Sequence, residues 1–556
     1  MSASPARPRW VSIALYAPVV ALYVLAFPYH PGLRSPNELC RLWQTRAIAD
    51  YGELEINAVI RDHGYVGDLS VKDGRYYPSK APLLSVAAVP VYEVLSAVGG
   101  GGKQAVPELP LIYWHRLFLT VLPTLLMLVL VRRFLGAYLS PLLADGLTVT
   151  YALGTLAFSY SLLFMSHQPT AVLAFAAFYV LWRALREAPA TAPLDRARVL
   201  RFVGAGALCG LTVAAEYTGA LAVAGVVLYG VLAVLRDNGA PLRARLDRLG
   251  TALALATVGA LPFVLGLMAY HQAVFGHPLH SGYKYLNDAA YQGWHVGGFL
   301  GIRYPDPRAF ALSFFSPLRG LFALSPVLLL AIPGVLSLRR LREGGDRALF
   351  PSTVVLLLAY AYFTSSFSYE SWGWTTGPRH LTALVPFLLL PLGLWVQSMH
   401  ARAENKGSAR VLAGVGAGLG AASVIATGMP TFVNYIPDSV SNPLFALAIP
   451  LLREGYPPPS LPGLLTGAHV FFGWKLVALL LVAAVAVFIA LLPRTAAPGT
   501  PTHGTTVAAG FGVITLALFL GLLALSTEHD RDDEGARKHL RSVWLVAPGR
   551  SPQFWP

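Results

Sequence analysis

Charge is what this chain of 556 residues has least of. Only 13% are Asp, Glu, Lys or Arg, against 55% hydrophobic. An ordinary soluble domain carries about a quarter charged residues, so the shortage excludes a soluble globular protein. Cysteine is scarcer still, with two residues. Cys40 falls in a polar stretch and Cys209 in an apolar run, which excludes a disulfide framework. No Gly-x-x-x-x-Gly-Lys-Ser/Thr run occurs, and this disfavours a nucleotide-driven pump. The short alternating strands of a transmembrane barrel are missing as well. His271, His277, His280 and His295 share one polar region, but their spacing fits no metal-ligand template. No metal and no cofactor are expected. The formal net charge of +14 does not imply nucleic acid, because the basic residues sit in short clusters between apolar runs, where membrane topology accounts for them.

Long apolar runs are what the chain has in abundance. A membrane span needs roughly 20 such residues to cross about 30 Å of hydrocarbon. Candidate spans lie near 10–28, 111–131, 140–158, 168–184, 202–216, 219–235, 250–272, 321–338, 350–366, 381–398, 411–427, 471–493 and 506–526. The expected fold is therefore an all-α polytopic membrane protein with about thirteen transmembrane helices. The first run follows Arg7 and Arg9 without a small-x-small cleavage site, so it reads as a retained helix rather than a leader.

The basic clusters then orient the bundle. Arg132 and Arg133, 183–201, 236–248, 339–347, 402–410 and Arg494 fall on one side, which the positive-inside rule makes cytoplasmic. The N-terminus is expected inside and the C-terminus outside. Residues 82–98 are apolar enough to span, but counting them would reverse every later loop. They are placed as a juxtamembrane helix instead. Glu216-Tyr217-Thr218-Gly219 interrupts the long run 202–235, predicting two short helices that meet below the outer surface with Glu216 at the turn. The outer loops are large: 29–110, 273–320, 367–380 and 428–470. Residues 1–526 thus form a single membrane unit, followed by a polar external tail, 527–556.

Several polar constellations stand on the outer side. Ser35-Pro36-Asn37-Glu38 opens a plausible helix over 37–51. Glu38 has two local roles available: completing a capping box with Ser35, or pairing with Arg41 at i+3. A third is a general base at the water–lipid boundary, for which Asp50, Glu53, Glu55, Asp62, Asp68 and Asp73 compete. Lys80, in Tyr76-Tyr77-Pro78-Ser79-Lys80-Ala81-Pro82, suits either snorkelling to headgroups or a phosphate contact. Arg319 and Arg379 lie at the mouths of two spans in Gly/Pro-broken, aromatic segments. A charge within hydrocarbon costs about 2.5–3.5 kcal/mol on insertion scales, so each arginine must find water, an acid or a phosphate. Lys80, Arg319 and Arg379 together predict one shared anion site. Asn37, Tyr76, Tyr77, Arg116, His167, Glu216, Trp372 and His380 are further candidates for substrate contact.

Asn37-Glu38, the polar helix ending near Gly52, Asp73-Gly74-Arg75-Tyr76-Tyr77 and Lys80-Ala81-Pro82-Leu83 resemble the first outer loop of GT-C glycosyltransferases. The likeness is to the protein O-mannosyltransferase and lipid A aminoarabinose transferase type (family 39-like). It is specific only in residues 30–133. The span count and the juxtamembrane placement of 82–98 also match that type. The resemblance implies transfer of a sugar from a polyprenyl-phosphate donor to a lipid, glycan or protein acceptor on the outer face of a bacterial inner membrane, with inversion. It places Lys80 on the lipid phosphate. One departure stands out: the family's catalytic Asp position is Asn37 here, which has no carboxylate. This leaves the base to Glu38 or another loop acid. Two other classes remain in view, a transporter or flippase for a lipid-linked anion and a catalytically inactive binding protein.

Overall fold

The computed structural model describes residues 9–28, 35–99, 106–186, 193–237, 239–367, 373–403, 405–433, 435–493 and 503–543. The chain is an all-α, multi-pass membrane protein. Among the described residues, nine helices are long and apolar enough to cross a bilayer: Glu108–Leu135, His167–Arg186, Arg196–Ala215, Tyr217–Leu235, Leu242–Phe275, Gly345–Ser366, Gly407–Thr431, His469–Leu491 and Gly504–Leu525.

The other four expected spans form shorter or broken helices, each for a local reason. The first helix, Arg9–Leu25, is 17 residues long and holds Pro18. The 140–158 run splits at Gly154, where a β-carbon would meet Ser423 and the backbone of Val424. Thr155 then recaps a short helix by accepting from the Ala157 amide. The 381–398 run begins as short 3-10 turns and becomes α-helical only over Leu389–Ala403. The 321–338 run is four short pieces broken at Ser325-Pro326, because proline has no amide to continue the ladder. Its freed backbone groups are satisfied by the Gly407–Thr431 helix: Ser423 Oγ accepts from the Val327 amide at 3.1 Å, and Thr427 Oγ1 donates to the Leu324 carbonyl at 2.7 Å. Irregular backbone at membrane depth persists only with such partners.

The Glu216 break exists, with Glu216 in extended geometry between helices, but the flanking helices are not short. The first starts at Arg196 rather than 202, so each is about a full membrane crossing. Leu242–Phe275 likewise absorbs its basic cluster and reaches 34 residues, about 51 Å of helix. Close approach of helices depends on small residues. Gly206 lies against the Ala256 backbone and Gly414 against that of Ala508, with no room for a β-carbon at either.

The first polar loop folds over one end of the bundle. Pro36–Arg46 is helical and continues as a π-turn over Ala47–Tyr51, stopped by Gly52 at φ 69°. Strands β1 (Leu69–Lys72) and β2 (Arg75–Pro78) then pair antiparallel, with Leu69 opposite Pro78 and Lys72 opposite Arg75. The connecting residues Asp73 and Gly74 both have positive φ, as the favoured two-residue hairpin turn requires. Ser70 Oγ donates to the Gly282 carbonyl at 2.7 Å and the Asn287 amide donates to the Leu69 carbonyl at 2.9 Å. These bonds dock the hairpin on the 273–320 loop.

Candidate active site

The hairpin sets the site. Two four-residue strands with a two-residue turn bring the residue before β1 beside those after β2. The Ser79 amide donates to the Asp68 carbonyl at 3.0 Å, and Lys80 Nζ lies 3.1 Å from Asp68 Oδ1. Asp68 itself has φ 58°, a left-handed conformation that Asp tolerates better than most residues. Both side chains line a cavity of about 1690 Å³. Its walls come from the first polar loop, the 278–302 region and Gly373–His380, and the apolar side chains Val213, Leu221, Val264, Leu267, Met268 and Phe363 of the spans line it too.

Arg379 lines the same cavity. It follows a turn in which Gly373 and Gly377 both have positive φ. The turn is pinned at one end by Trp374 Nε1 donating to Asp438 Oδ1 at 3.0 Å. Among the described residues, Arg379 Nε is shut from solvent without a hydrogen-bond acceptor. Burial alone would push the Asp68 carboxyl up. The Lys80 ammonium, then Arg379, outweighs it and holds the group below the usual carboxylate range. Burial works against the Lys80 charge too, but Asp68 keeps the ammonium above its ordinary value. Both groups are therefore ionised at neutral pH.

An aromatic wall faces them. Lys80 Nζ sits 5.3 Å from the Tyr283 ring centroid, and Tyr283 stacks on His295 at 4.4 Å. Tyr217 Oη and His271 Nε2 lie 2.9 Å apart on the same lining. Composition gave little warning of Tyr217, Tyr283 and His295. Tyr217 was visible only as part of the Glu216–Gly219 break and His295 only as one of four histidines in a polar region, while Tyr283 had the aromatic density of Tyr283-Lys284-Tyr285, which an interfacial belt would also produce.

The expected site residues divide sharply. Lys80, Arg379, Asn37 and His380 line the cavity; Glu38, Arg319, Tyr76, Tyr77, Arg116, His167 and Glu216 do not. Trp372 lies outside the described residues. Glu38 is 1% exposed, and its Oε1 accepts from the Phe164 amide at 2.7 Å. The capping box is not formed, since the Ser35 side chain makes no cap bond. Arg41 instead donates to Asn37 Oδ1, the Ala81 carbonyl and Ser166 Oγ. Ser166 in turn donates to Glu216 Oε2 at 2.6 Å, with His167 Nδ1 3.9 Å from that oxygen. This buried network underlies the cavity floor. Arg319 stands behind the wall, donating to the Gly373 carbonyl at 3.4 Å. Tyr76 accepts no cavity role: its amide donates to Asn57, while Tyr77 packs on Phe275. Arg116 staples three segments through the Ala26 and Leu162 carbonyls and the Phe27 and Tyr113 rings.

No family model and no curated protein matches the chain. Solved structures that it is similar to include ArnT from Cupriavidus metallidurans bound to undecaprenyl phosphate, at 15% identity over 92% of this chain and 78% of that one, TM-score 0.47. The oligosaccharyltransferase of Archaeoglobus fulgidus is similar at 12% identity over 88% and 56%, TM-score 0.40. Arabinosyltransferase EmbB from Mycobacterium smegmatis is similar at 15% identity over 95% and 42%, TM-score 0.39.

Proposed function

We propose that this protein transfers a sugar from a polyprenyl-phosphate donor to an acceptor on the outer face of the membrane, with inversion at the anomeric carbon. The observation that carries the reading is the convergence of Lys80 and Arg379, remote in sequence, on one cavity that also holds Asp68 and is lined by apolar side chains of the membrane helices. A lipid phosphate is an anion on a greasy tail, and the cavity offers a place to each part.

In the proposed reaction the acceptor hydroxyl oxygen attacks the anomeric carbon from the face opposite the phosphate. The carbon–oxygen bond to phosphate breaks, its electron pair staying on the phosphate oxygen. The hydroxyl proton passes to a carboxylate. Lys80 and Arg379 stabilise the charge that grows on the departing phosphate, and such fixed cations count for more where water is excluded. Asp68 suits the base role better than Glu38, because it faces the cavity and stays ionised. It takes over the carboxylate chemistry that Asn37 cannot perform. The lysine beside it keeps it charged and is then shared with the incoming phosphate.

The test is consumption of a polyprenyl-phosphate sugar by purified protein in detergent or nanodiscs, with release of free polyprenyl phosphate. Turnover that vanishes in Asp68→Asn while the donor still binds supports the reading. Intact donor delivered across a vesicle membrane would instead make the protein a transporter and remove the transferase.

A further inference from the structure

The 273–320 loop carries a second tight hairpin, residues 299–302, and its tip is chemically odd. The Phe299 amide donates to the Ile302 carbonyl and the Ile302 amide to the Phe299 carbonyl, each at 3.0 Å. The two residues between, Leu300 and Gly301, have φ of 54° and 84°. Positive φ at both central positions is the hairpin turn that favours Asn-Gly or Asp-Gly. The β1–β2 turn obeys the rule with Asp73-Gly74. Here leucine occupies the left-handed position, where its branched bulk is a poor fit. A residue kept against backbone preference points to a use for its side chain.

That side chain is 73% exposed, Phe299 beside it is 76% exposed, and Tyr304 at the base is 93% exposed. Water would be a costly medium for such a cluster. Its height is fixed by the bundle. The Arg303 amide donates to the Ser366 carbonyl at 2.8 Å and the Asp306 amide to the Ser365 carbonyl at 2.7 Å. Ser365 and Ser366 end the span Gly345–Ser366, which at 22 residues reaches about 33 Å, enough to cross the hydrocarbon. The apolar tip is thus tied to the end of a helix long enough to cross a membrane. Arg303 and Arg308, both exposed, follow it in the chain and are complementary in charge to lipid phosphates.

We propose that the 299–302 hairpin dips into the adjacent leaflet, with Phe299 and Leu300 among the acyl chains. Phe299 and Leu300 also line the cavity, so in this arrangement the hairpin stands between the site and the lipid. The inference does not depend on the reaction proposed for the cavity.

The experiment places a polarity-sensitive nitrobenzoxadiazole label at Leu300→Cys in full-length protein in phosphatidylcholine nanodiscs. Signal from the labelled parent, with its native Cys40 and Cys209, is subtracted. Asp73→Cys, at the tip of the other hairpin, is the reference. The expected result is blue-shifted emission at 300, quenched several-fold more by acyl-chain nitroxide lipid than at 73, and several-fold less by aqueous iodide. Equal iodide quenching at both tips would overturn the proposal, as would a blue shift at 300 that nitroxide lipid leaves untouched, which would mean protein covers the tip. Tyr304→Cys at the hairpin base repeats the measurement without altering the turn.

Discussion

Glu38 and Asp68 are acids of the same polar loop, yet the fold treats them in opposite ways. Glu38 sits on a regular helix, is sealed from solvent and accepts from a backbone amide of a neighbouring segment. Asp68 sits at a strained position before a strand, opens on the cavity and pairs with a lysine. The first arrangement stabilises a helix junction, and the second is poised for exchange of partners. A carboxylate that a substrate must reach cannot also be spent on holding the scaffold. The contrast is the ground on which the proposed mechanism gives the base role to Asp68 and not to Glu38.

The strongest way to break this comparison is Asp68→Asn. The change is isosteric, although it gives up the ion pair with Lys80, and loss of a general base typically costs 10²–10⁴ in rate. Sugar transfer is expected to fall at least ~10²-fold, with donor affinity kept. Normal turnover would return the base to Glu38 or another loop acid. Next in size is removal of a cation. Lys80→Met or Arg379→Met should weaken binding of a polyprenyl phosphate by roughly 10²-fold, consistent with charge-assisted bonds worth about 1.5–3 kcal/mol each. Titration of lipid phosphate against each purified variant measures it, and unchanged affinity in both would dissolve the shared anion site.

Much of this frame was legible in the sequence, and the failures have physical causes. Apolar runs located the helical segments because hydrocarbon thickness imposes length. They could not foresee the pieces over 321–338, where Ser423 and Thr427 from a distant helix make broken backbone tolerable. Lys80 and Arg379 were identifiable as cations that needed a partner. Arg319 read the same way, but the fold turns it to the Gly373 carbonyl, a contact that linear order does not reveal. Asp68 was one acid among seven because hairpin register, not composition, brings it to Lys80. The Asp73-Gly74 turn between alternating Leu69-Ser70-Val71 and Tyr76-Tyr77 was the available clue to that register.

A smaller effect sharpens the comparison from the other side. Glu38→Ala strands the Phe164 amide in a dry site, which costs about 1–3 kcal/mol and should show as a lower thermal midpoint. Glu38→Gln retains an acceptor oxygen and should leave both midpoint and turnover close to those of the parent. If the glutamine variant folds normally but is inactive, Glu38 is chemical after all.

The pH profile probes Asp68 without replacing it. Its carboxyl lies below the usual range because Lys80 and Arg379 overcome burial. Charge on a depressed acid is present above its ordinary pKa of about 3.9 and is lost only as pH falls through the lower, folded value. The acid limb of kcat/KM in the parent should therefore lie below about pH 4. In Lys80→Met the largest stabiliser of the carboxylate is gone while burial still raises the group, so the limb must move to higher pH. Measuring residual transfer between pH 3 and 7 in both proteins tests this. A limb that stays put when Lys80 is removed would mean that the pair seen at 3.1 Å does not govern the titrating acid, and the base would have to be sought elsewhere on the cavity wall.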